Sequence, residues 1–457
     1  MRQPAGSLYL IGGIFLCLFA PAVLGAPPPA AEAIGSYLKP FADTNNFSGT
    51  VLVTEKGQTL FEKSYGFADL AGRVQNGADT RFHVASVSML FTAFATMRLV
   101  EQGKLSLDDT AGSIIGPLPN GDRITVRELL EDNSGIPDAE ELPGYDALLE
   151  AHQTPGSLIQ QIRGLKPLAE PGGKYKDEER SAYQALALII EKKTGLPFAQ
   201  AMQKLVFGPA GMKDSGVDDD SPIGGHVALG YRPEGEFGLK RAHVIHWSAK
   251  PGNGSDYSTA DDINRWFSEL LGDKLLSAKS RAMIMASDKD GGFGWEKGAD
   301  RRFGEDSYFS NGRAPGFSSV MYNLPKEGVT VIIVGNIEHD MNPEVAGNIL
   351  ALVVGKPYTA FAYQPFPLTP DQRQRFTGQF KFGADFYRPG ATLEIKDSPQ
   401  GLMLEWPGGP EAPLLPIGAD RFMDRYYWTP ATIVRDAAGR PAELKYGKFQ
   451  GTAVSPP

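Results

Sequence analysis

The chain has 457 residues, of which 42% are hydrophobic and 22% are charged. This length is enough to bury a sizeable core and predicts two or three folded domains, and the composition excludes a disordered or fibrous protein. Aspartate and glutamate total 54 against 45 lysine and arginine residues, which gives a net charge of −9. An acidic chain has no overall attraction for a polyanion, so we do not expect nucleic-acid binding.

The N-terminal segment is typical of a secretory leader. Arg2 precedes the apolar run 8–24, and Gly25 supplies the small residue of a cleavage site. We therefore expect residues 1–25 to be a cleaved signal peptide and the mature protein to be periplasmic or secreted, without a stable membrane span. The alternative is that the apolar run is retained as an N-terminal anchor. Cys17, the one cysteine, lies inside this segment, so the mature chain has no thiol for a disulfide, a metal or a nucleophile.

The remaining chain alternates between helical and extended patterns. In chain order these predict an extended linker at 26–32, a helix at 34–41, a hairpin with strands 49–53 and 60–64, buried helices at 90–101 and 183–193, a hairpin with strands 318–323 and 329–336, and a helix at 343–354. Hairpins at both ends of a mostly helical middle are typical of an antiparallel sheet covered by helices, the α+β class, rather than of a parallel sheet.

The sequence changes character after residue 357, where prolines become frequent and short alternating runs appear at 392–396 and 402–406. We predict a first domain over 33–358, a linker over 359–367 and a small antiparallel β domain over 368–455.

Several segments occur in an order that resembles the serine β-lactamase and penicillin-binding-protein superfamily of bacteria, in particular its class C, esterase and D-aminopeptidase-like branch. They are FSGTVLV at 47–53, TRFHVASVS at 80–88, LVEQGKLSLDD at 99–109, ITVRELL at 124–130, SGIP at 134–137, YSTADD at 257–262 and PGFSS at 315–319. The resemblance implies a β-lactamase/transpeptidase-like antiparallel sheet flanked by helices, with an all-helical subdomain. Small β domains such as the one at the C-terminus are often appended to these enzymes.

The first catalytic motif of this superfamily is S-x-x-K, in which the lysine takes the proton of the serine hydroxyl. The resemblance assigns the nucleophile to Ser86 and the lysine position to Met89. A thioether cannot accept a proton at physiological pH, whereas methionine fills apolar space well, so position 89 is expected to have a packing role. The alternative interpretation of Ser86 is a helix N-cap. His83 is either a replacement base or, as we favour, a buried side chain with its own hydrogen bond.

The other two motifs are also altered. The Y-x-N motif is missing: 178–180 and 177–179, the two possible registers, read EER and DEE. Tyr175 is either a substitute or, as we favour, a packing aromatic, and the neighbouring Lys174 and Lys176 are either exposed charges or an alternative base. The K-T-G or H-x-G motif reads Ser310-Asn311-Gly312, which retains only the glycine and predicts weak carboxylate recognition. The candidate substrate-binding residues are Ser310, Asn311, Gly312 and Tyr175.

No metal or cofactor is expected. The histidines outside the motifs lack metal-ligand spacing, and these are His152, His226, His243, His246 and His339. The chain has no phosphate-binding loop motif, and the acidic group 218–220 is expected to be a solvated loop.

Loss of all three motifs favours an exported pseudoenzyme that binds a small-molecule, peptide, muropeptide or acyl ligand, or a protein partner, without turnover. The alternative is an active serine hydrolase, an esterase or peptidase that forms an acyl-enzyme through Ser86 with an unconventional base. A third hypothesis is an interaction module in which the C-terminal β domain does the binding.

Overall fold

The computed structural model describes residues 30–173, 180–285, 292–361, 363 and 366–454. The predicted leader with Cys17, and the segment 174–179 with Tyr175 and its two neighbouring lysines, lie outside the described residues.

A six-stranded antiparallel sheet forms the centre of the N-terminal domain, with the strand order β10-β11-β12-β13-β1-β2. The strands of this domain are β1 Gly49–Glu55, β2 Gln58–Tyr65, β3 Phe67–Asp69, β4 Val74–Gln75, β5 Phe82–His83, β6 Gly216–Val217, β7 Tyr231–Glu234, β8 Gly238–Arg241, β9 Asp256–Ser258, β10 Glu296–Lys297, β11 Tyr308–Ala314, β12 Phe317–Leu324 and β13 Val329–Gly335. The predicted first and last hairpins meet at the centre of the sheet, where β1 pairs with β13. This arrangement confirms the α+β class.

Helices cover both faces of the sheet, and the four predicted ones correspond to α1, α2, α7 and α11. The helices are α1 Ala30–Asp43, α2 Ser88–Glu101, α3 Ala111–Ile115, α4 Val126–Leu130, α5 Tyr145–Leu149, α6 Pro155–Ile162, α7 Arg180–Thr194, α8 Phe198–Met202, α9 Ala260–Leu271, α10 Ala278–Met285, α11 Met341–Val353 and α12 Pro370–Gln374. None of the helices in the described ranges combines the length and the apolar character needed to cross a membrane.

Each face of the sheet has its own core because side chains alternate along a strand. On β1, Leu52 points into the cluster that contains α2 and α7, whereas Val51 and Val53 point into the cluster that contains α1 and α11. Helix α2 lies within the first cluster and is buried on nearly every side, as its apolar pattern predicts.

The C-terminal segment is a closed antiparallel barrel of eight strands, which confirms the predicted small β domain and adds its closure. The strands are β14 Gly378–Phe382, β15 Thr392–Ser398, β16 Gly401–Glu405, β17 Glu411–Gly418, β18 Arg421–Asp424, β19 Pro430–Arg435, β20 Pro441–Tyr446 and β21 Phe449–Ala453. Apolar side chains such as Phe380, Leu404 and Phe422 fill its interior. Closure leaves the sheet without an unpaired edge.

One arginine of the barrel is inserted into the N-terminal domain. Arg425, in the loop between β18 and β19, is only 1% exposed. Its guanidinium donates to Asn46 Oδ1 at 2.8 Å and to the backbone carbonyls of Asn45 at 3.0 Å, Gly235 at 2.8 Å and Gly238 at 3.1 Å. Burial lowers the pKa of Arg425 to about 9, so the group is still charged at neutral pH. The charge is therefore compensated by carbonyl dipoles of the other domain.

The residue before it shapes the same loop. The Asp424 carboxylate accepts the backbone N–H groups of Tyr426 at 2.7 Å and Tyr427 at 2.9 Å, and the hydroxyl of Tyr446 at 2.7 Å. Asp424 is fully buried, and burial raises its pKa to about 6 despite these hydrogen bonds. The turn that it closes presents the next three side chains to the N-terminal domain.

Candidate active site

The candidate nucleophile lies in a strained turn between β5 and α2. Ser86 is the middle residue of the 3-10 turn Ala85–Val87, and Ala85 has a φ of +48°. A left-handed backbone is unfavourable for alanine and persists only where the surroundings enforce it. Here Val84 is held on both sides: its N–H donates to the Asp256 carbonyl at 2.9 Å, and its carbonyl accepts the Ser319 hydroxyl at 2.5 Å.

The turn also excludes the alternative interpretation of Ser86 as a helix N-cap. The residue that precedes α2 is Val87, and the residue that precedes the 3-10 turn is Val84. Ser86 occupies neither capping position. Backbone strain such as that at Ala85 is most frequent at functional sites, so Ser86 remains the candidate nucleophile.

Strand β11 contacts this turn through the glycine of the third motif. A Cβ atom at Gly312 would lie 2.5 Å from the Val84 carbonyl and 2.6 Å from the Ser86 nitrogen, so only glycine fits. Ser310 is buried and shares this face of the strand because side chains alternate. Asn311 lies on the opposite face with Phe309, which packs in the α1 and α11 cluster. The structure thus brings Ser310 and Gly312 to the turn of Ser86, but not Asn311.

No group in the described part of the chain forms a hydrogen bond with the Ser86 hydroxyl. Met89, at the lysine position, is 5% exposed and belongs to the apolar cluster around α2. It has the packing role that the sequence predicts.

His83 is directed to a different partner. Its Nε2 lies 2.7 Å from Asp218 Oδ2, and its ring stacks on Trp247 with a centroid distance of 3.8 Å. Burial lowers the pKa of His83 more than Asp218 raises it, which favours the neutral imidazole. His83 is therefore a buried, hydrogen-bonded side chain, as favoured above. The expectation of a solvated loop at 218–220 is wrong for Asp218, which is only 8% exposed because it pairs with this histidine.

A buried ion pair lies in the same domain and was not identified from the sequence. Lys250 Nζ donates to both carboxylate oxygens of Glu140 at 3.0 Å and lies 3.3 Å from the Tyr145 hydroxyl. Asn253 donates to Glu140 at 2.9 Å. Burial raises the pKa of Glu140, but the charges of Lys250 and Arg180 outweigh it and the net shift is downward. Lys250 thus contacts Glu140 and Tyr145 and forms no hydrogen bond with Ser86 in the described ranges, so it does not occupy the place of the missing lysine.

A second missed residue is Asp256, directly beneath the nucleophile turn. Its backbone N–H donates to the Ser88 hydroxyl at 3.1 Å, and its side chain is fully buried. Neither carboxyl oxygen has a hydrogen-bond partner among the residues that the structure describes. Burial raises the pKa of Asp256 well above its ordinary value, which favours the neutral acid. Its side chain is thus a buried polar group without compensation.

The barrel reaches the strand that carries Gly312. Arg313, the next residue of β11, pairs with Asp340 at 2.6 Å. Its guanidinium also lies over the rings of Tyr426 and Tyr427, at 5.0 and 5.4 Å from their centroids. These cation–π contacts connect the barrel rim to the candidate site strand.

The same rim supports the turn between β11 and β12. The hydroxyl of Tyr426 donates to Glu338, and the other oxygen of Glu338 accepts the N–H of Gly316 at 3.0 Å. The turn at Gly316 is therefore linked to the barrel through two hydrogen bonds.

Across the described residues, no three or more histidine, cysteine, aspartate or glutamate side chains are placed to hold a metal ion together.

The family profile named Beta-lactamase matches residues 35–356. The chain belongs to the beta-lactamase family. It is 31% identical over 313 residues to the putative penicillin-binding protein PbpX of Bacillus subtilis (strain 168), covering 68% of this chain and 74% of that protein. It is 26% identical over 416 residues to penicillin-binding protein 4* of the same organism, covering 84% and 89%.

A solved structure supports the fold of this family member along most of its length. The octameric penicillin-binding protein homologue from Pyrococcus abyssi superposes with a TM-score of 0.61 at 19% identity, covering 92% of this chain and 99% of that chain. The resemblance inferred from the ordered motifs is thus confirmed at the level of family and fold.

Proposed function

We propose that this beta-lactamase family protein is a pseudoenzyme that binds an acyl, peptide or muropeptide ligand beside Ser86 without turning it over. One observation carries the proposal: the Ser86 hydroxyl has no hydrogen-bonded base among the described residues, and the lysine position is a buried methionine. A positioned general base contributes about 10²- to 10⁴-fold to a rate, so its loss removes most of the expected turnover.

Retention of the surrounding backbone favours ligand binding over a purely structural role. Gly312 lies close to the Ser86 nitrogen, and Ala85 has an unfavourable backbone conformation. The packing of Met89 in the core requires neither of these two features. In acyl transfer, a preorganised backbone of this kind holds a carbonyl oxygen near the nucleophile. A chain that retains it can bind an acyl group without activating the serine.

The alternative is an active serine hydrolase with an unconventional base. Ser86 is partly exposed, lies on a strained turn and has no hydrogen-bond partner for its hydroxyl among the described residues. These features favour an active hydrolase, because such a hydroxyl is accessible to an electrophile. The sequence candidates for a base at 174–176 lie outside the described residues.

A fluorophosphonate probe separates the two functions. If the protein is a pseudoenzyme, the purified mature protein should be labelled no more than the Ser86→Ala variant. Ser113→Ala, which removes a serine from an unrelated helix, is the matched control. Labelling that disappears only in Ser86→Ala would refute the pseudoenzyme and establish the hydrolase.

Restoring the motif tests whether the site is otherwise intact. Met89→Lys introduces an amine one helical turn after the serine, where burial favours its neutral, basic form. We expect labelling of Ser86 to rise in Met89→Lys but not in Met89→Gln, which is polar without a basic nitrogen. Equal labelling of the two variants would show that the missing lysine alone does not limit the chemistry.

We also propose that the protein acts outside the cytoplasm, as its N-terminal segment suggests. Cell fractionation with N-terminal sequencing of the product tests this: a chain that begins at Ala26 in the periplasm or medium supports cleavage, and an intact N-terminus in the membrane supports the anchor.

A further inference from the structure

Three loops at one rim of the barrel, and the last residue of β20, surround a recess of about 290 Å³. The loops connect β14 to β15, β16 to β17 and β18 to β19, and they lie at the same end of the barrel as the end of β20. The N-terminal domain contributes one residue and thereby places the recess at the junction of the two domains. Its principal lining residues are Asp340, Tyr387, Arg388, Trp406, Tyr427 and Tyr446.

Aromatic rings form the walls of this rim recess. The Trp406 ring lies 4.9 Å from that of Tyr427 and 5.5 Å from that of Tyr446. Tyr387 completes the wall and is 63% exposed, unusual for a ring in a packed cluster. The indole N–H of Trp406 is buried and has no hydrogen-bond acceptor within the described residues. Most buried donors in folded proteins have a partner, so this N–H is a candidate contact for a ligand.

The charged groups of the recess restrict what it can hold. Asp340 is already paired with Arg313 at 2.6 Å. Arg388 donates to the carbonyl of Pro407 but has no carboxylate partner among the described residues, so it keeps unused donors. A cationic ligand would face this arginine, which is not compensated by a carboxylate. The recess therefore disfavours a cation and offers a polar ligand both the donors of Arg388 and the acceptor oxygens of Asp340.

We propose that the rim recess binds a single pyranose ring of a carbohydrate. A pyranose has an apolar C–H face for the rings of Tyr387 and Tyr427, and its hydroxyls can pair with Arg388, Asp340 and the indole N–H of Trp406. The volume is at the lower end of the range of about 300–1,000 Å³ found for ligand pockets, which suits one ring rather than an extended chain. The proposal does not rest on the function proposed for Ser86, because no lining residue belongs to that site.

The proposal can be tested by titrating the full mature protein with N-acetylglucosamine, glucose and chitotriose. Calorimetry and tryptophan fluorescence measure the binding. We expect saturable binding by at least one of these sugars at millimolar concentration. Loss of one stacking ring in Tyr387→Ala should weaken that binding about 2- to 10-fold. Tyr358→Ala removes another exposed tyrosine, 46% exposed and outside the recess, and should leave binding unchanged.

Three outcomes would overturn the proposal: no binding by any of the three sugars, equal binding by Tyr387→Ala and wild type, or tighter binding of choline than of the sugars. The ring of Tyr387 is largely exposed, so its removal is not expected to unfold the barrel. Sugar binding that survives in Ser86→Ala would support the recess independently of the function proposed for Ser86.

Discussion

Replacement of Arg425 by methionine should weaken the association of the barrel with the N-terminal domain. Arg425→Met keeps a long apolar stem but leaves two buried acceptors, Asn46 Oδ1 and the Gly235 carbonyl, without their donor. It also removes the donor of the part-buried carbonyls of Asn45 and Gly238. Each buried acceptor that loses its donor costs about 1–3 kcal/mol, and relief of the buried charge offsets part of the total. We expect a net loss of about 3 kcal/mol.

This loss converts into a measurable shift. Unfolding entropy is about 2.1 cal/mol/K per residue, so if a chain of this length unfolds as one unit its melting temperature should fall by about 3 °C. Calorimetry should also resolve a separate barrel transition, because the contact that couples the domains is gone. Arg421→Met, an exposed arginine on β18, is the matched control. If both variants melt alike in a single transition, the contacts of Arg425 do not couple the two domains.

Three further substitutions test individual contacts. Gly312→Ala should destabilise the protein by about 1–3 kcal/mol, measured by urea unfolding, and displace β11 from the Ser86 turn. Gly164→Ala is the control and should have little effect, because a Cβ atom at this position meets open space. Asp256→Val removes a buried carboxyl without a partner from a strand and should raise the melting temperature at pH 7; a lower one would mean that the carboxyl has an essential contact. The pKa of Asp424 is about 6 in the folded protein, against an ordinary value of 3.8. Its favourable contribution to the free energy of unfolding is therefore complete below pH 3.8 and is lost as the pH rises through 6. Stability should fall by about 3 kcal/mol over this pH range in the wild type but not in Asp424→Asn, which keeps an acceptor and does not titrate. Identical pH profiles of the two proteins would show that Asp424 is not the titrating group.

The parts of the fold that follow from local pattern could be predicted from the sequence. Apolar spacing alone indicates that α2 is buried, because helix periodicity depends on a few consecutive residues. The close approach of Gly312 follows instead from the resemblance to the family, which places this glycine in the third motif.

The parts that were missed depend on partners far away in sequence. Asp218 looks like one of three solvated acids until its partner His83, 135 residues earlier, is placed beside it. Lys250 and Glu140 are 110 residues apart. Arg425 has mostly backbone carbonyls as partners, and no residue type in the sequence marks a carbonyl that will receive a guanidinium.

The barrel and the candidate site are mechanically connected, which changes how the function of each must be tested. Tyr426 of the barrel rim fixes Glu338, and Glu338 fixes the turn at Gly316. That turn is three residues beyond Arg313, whose guanidinium lies against the same rim. Deletion of residues 368–455 would therefore release the hairpin that holds Gly312 on the Ser86 turn, and would alter binding at both places. Point substitutions at Tyr387 and Ser86 separate the rim recess from the nucleophile, whereas removal of the whole barrel does not.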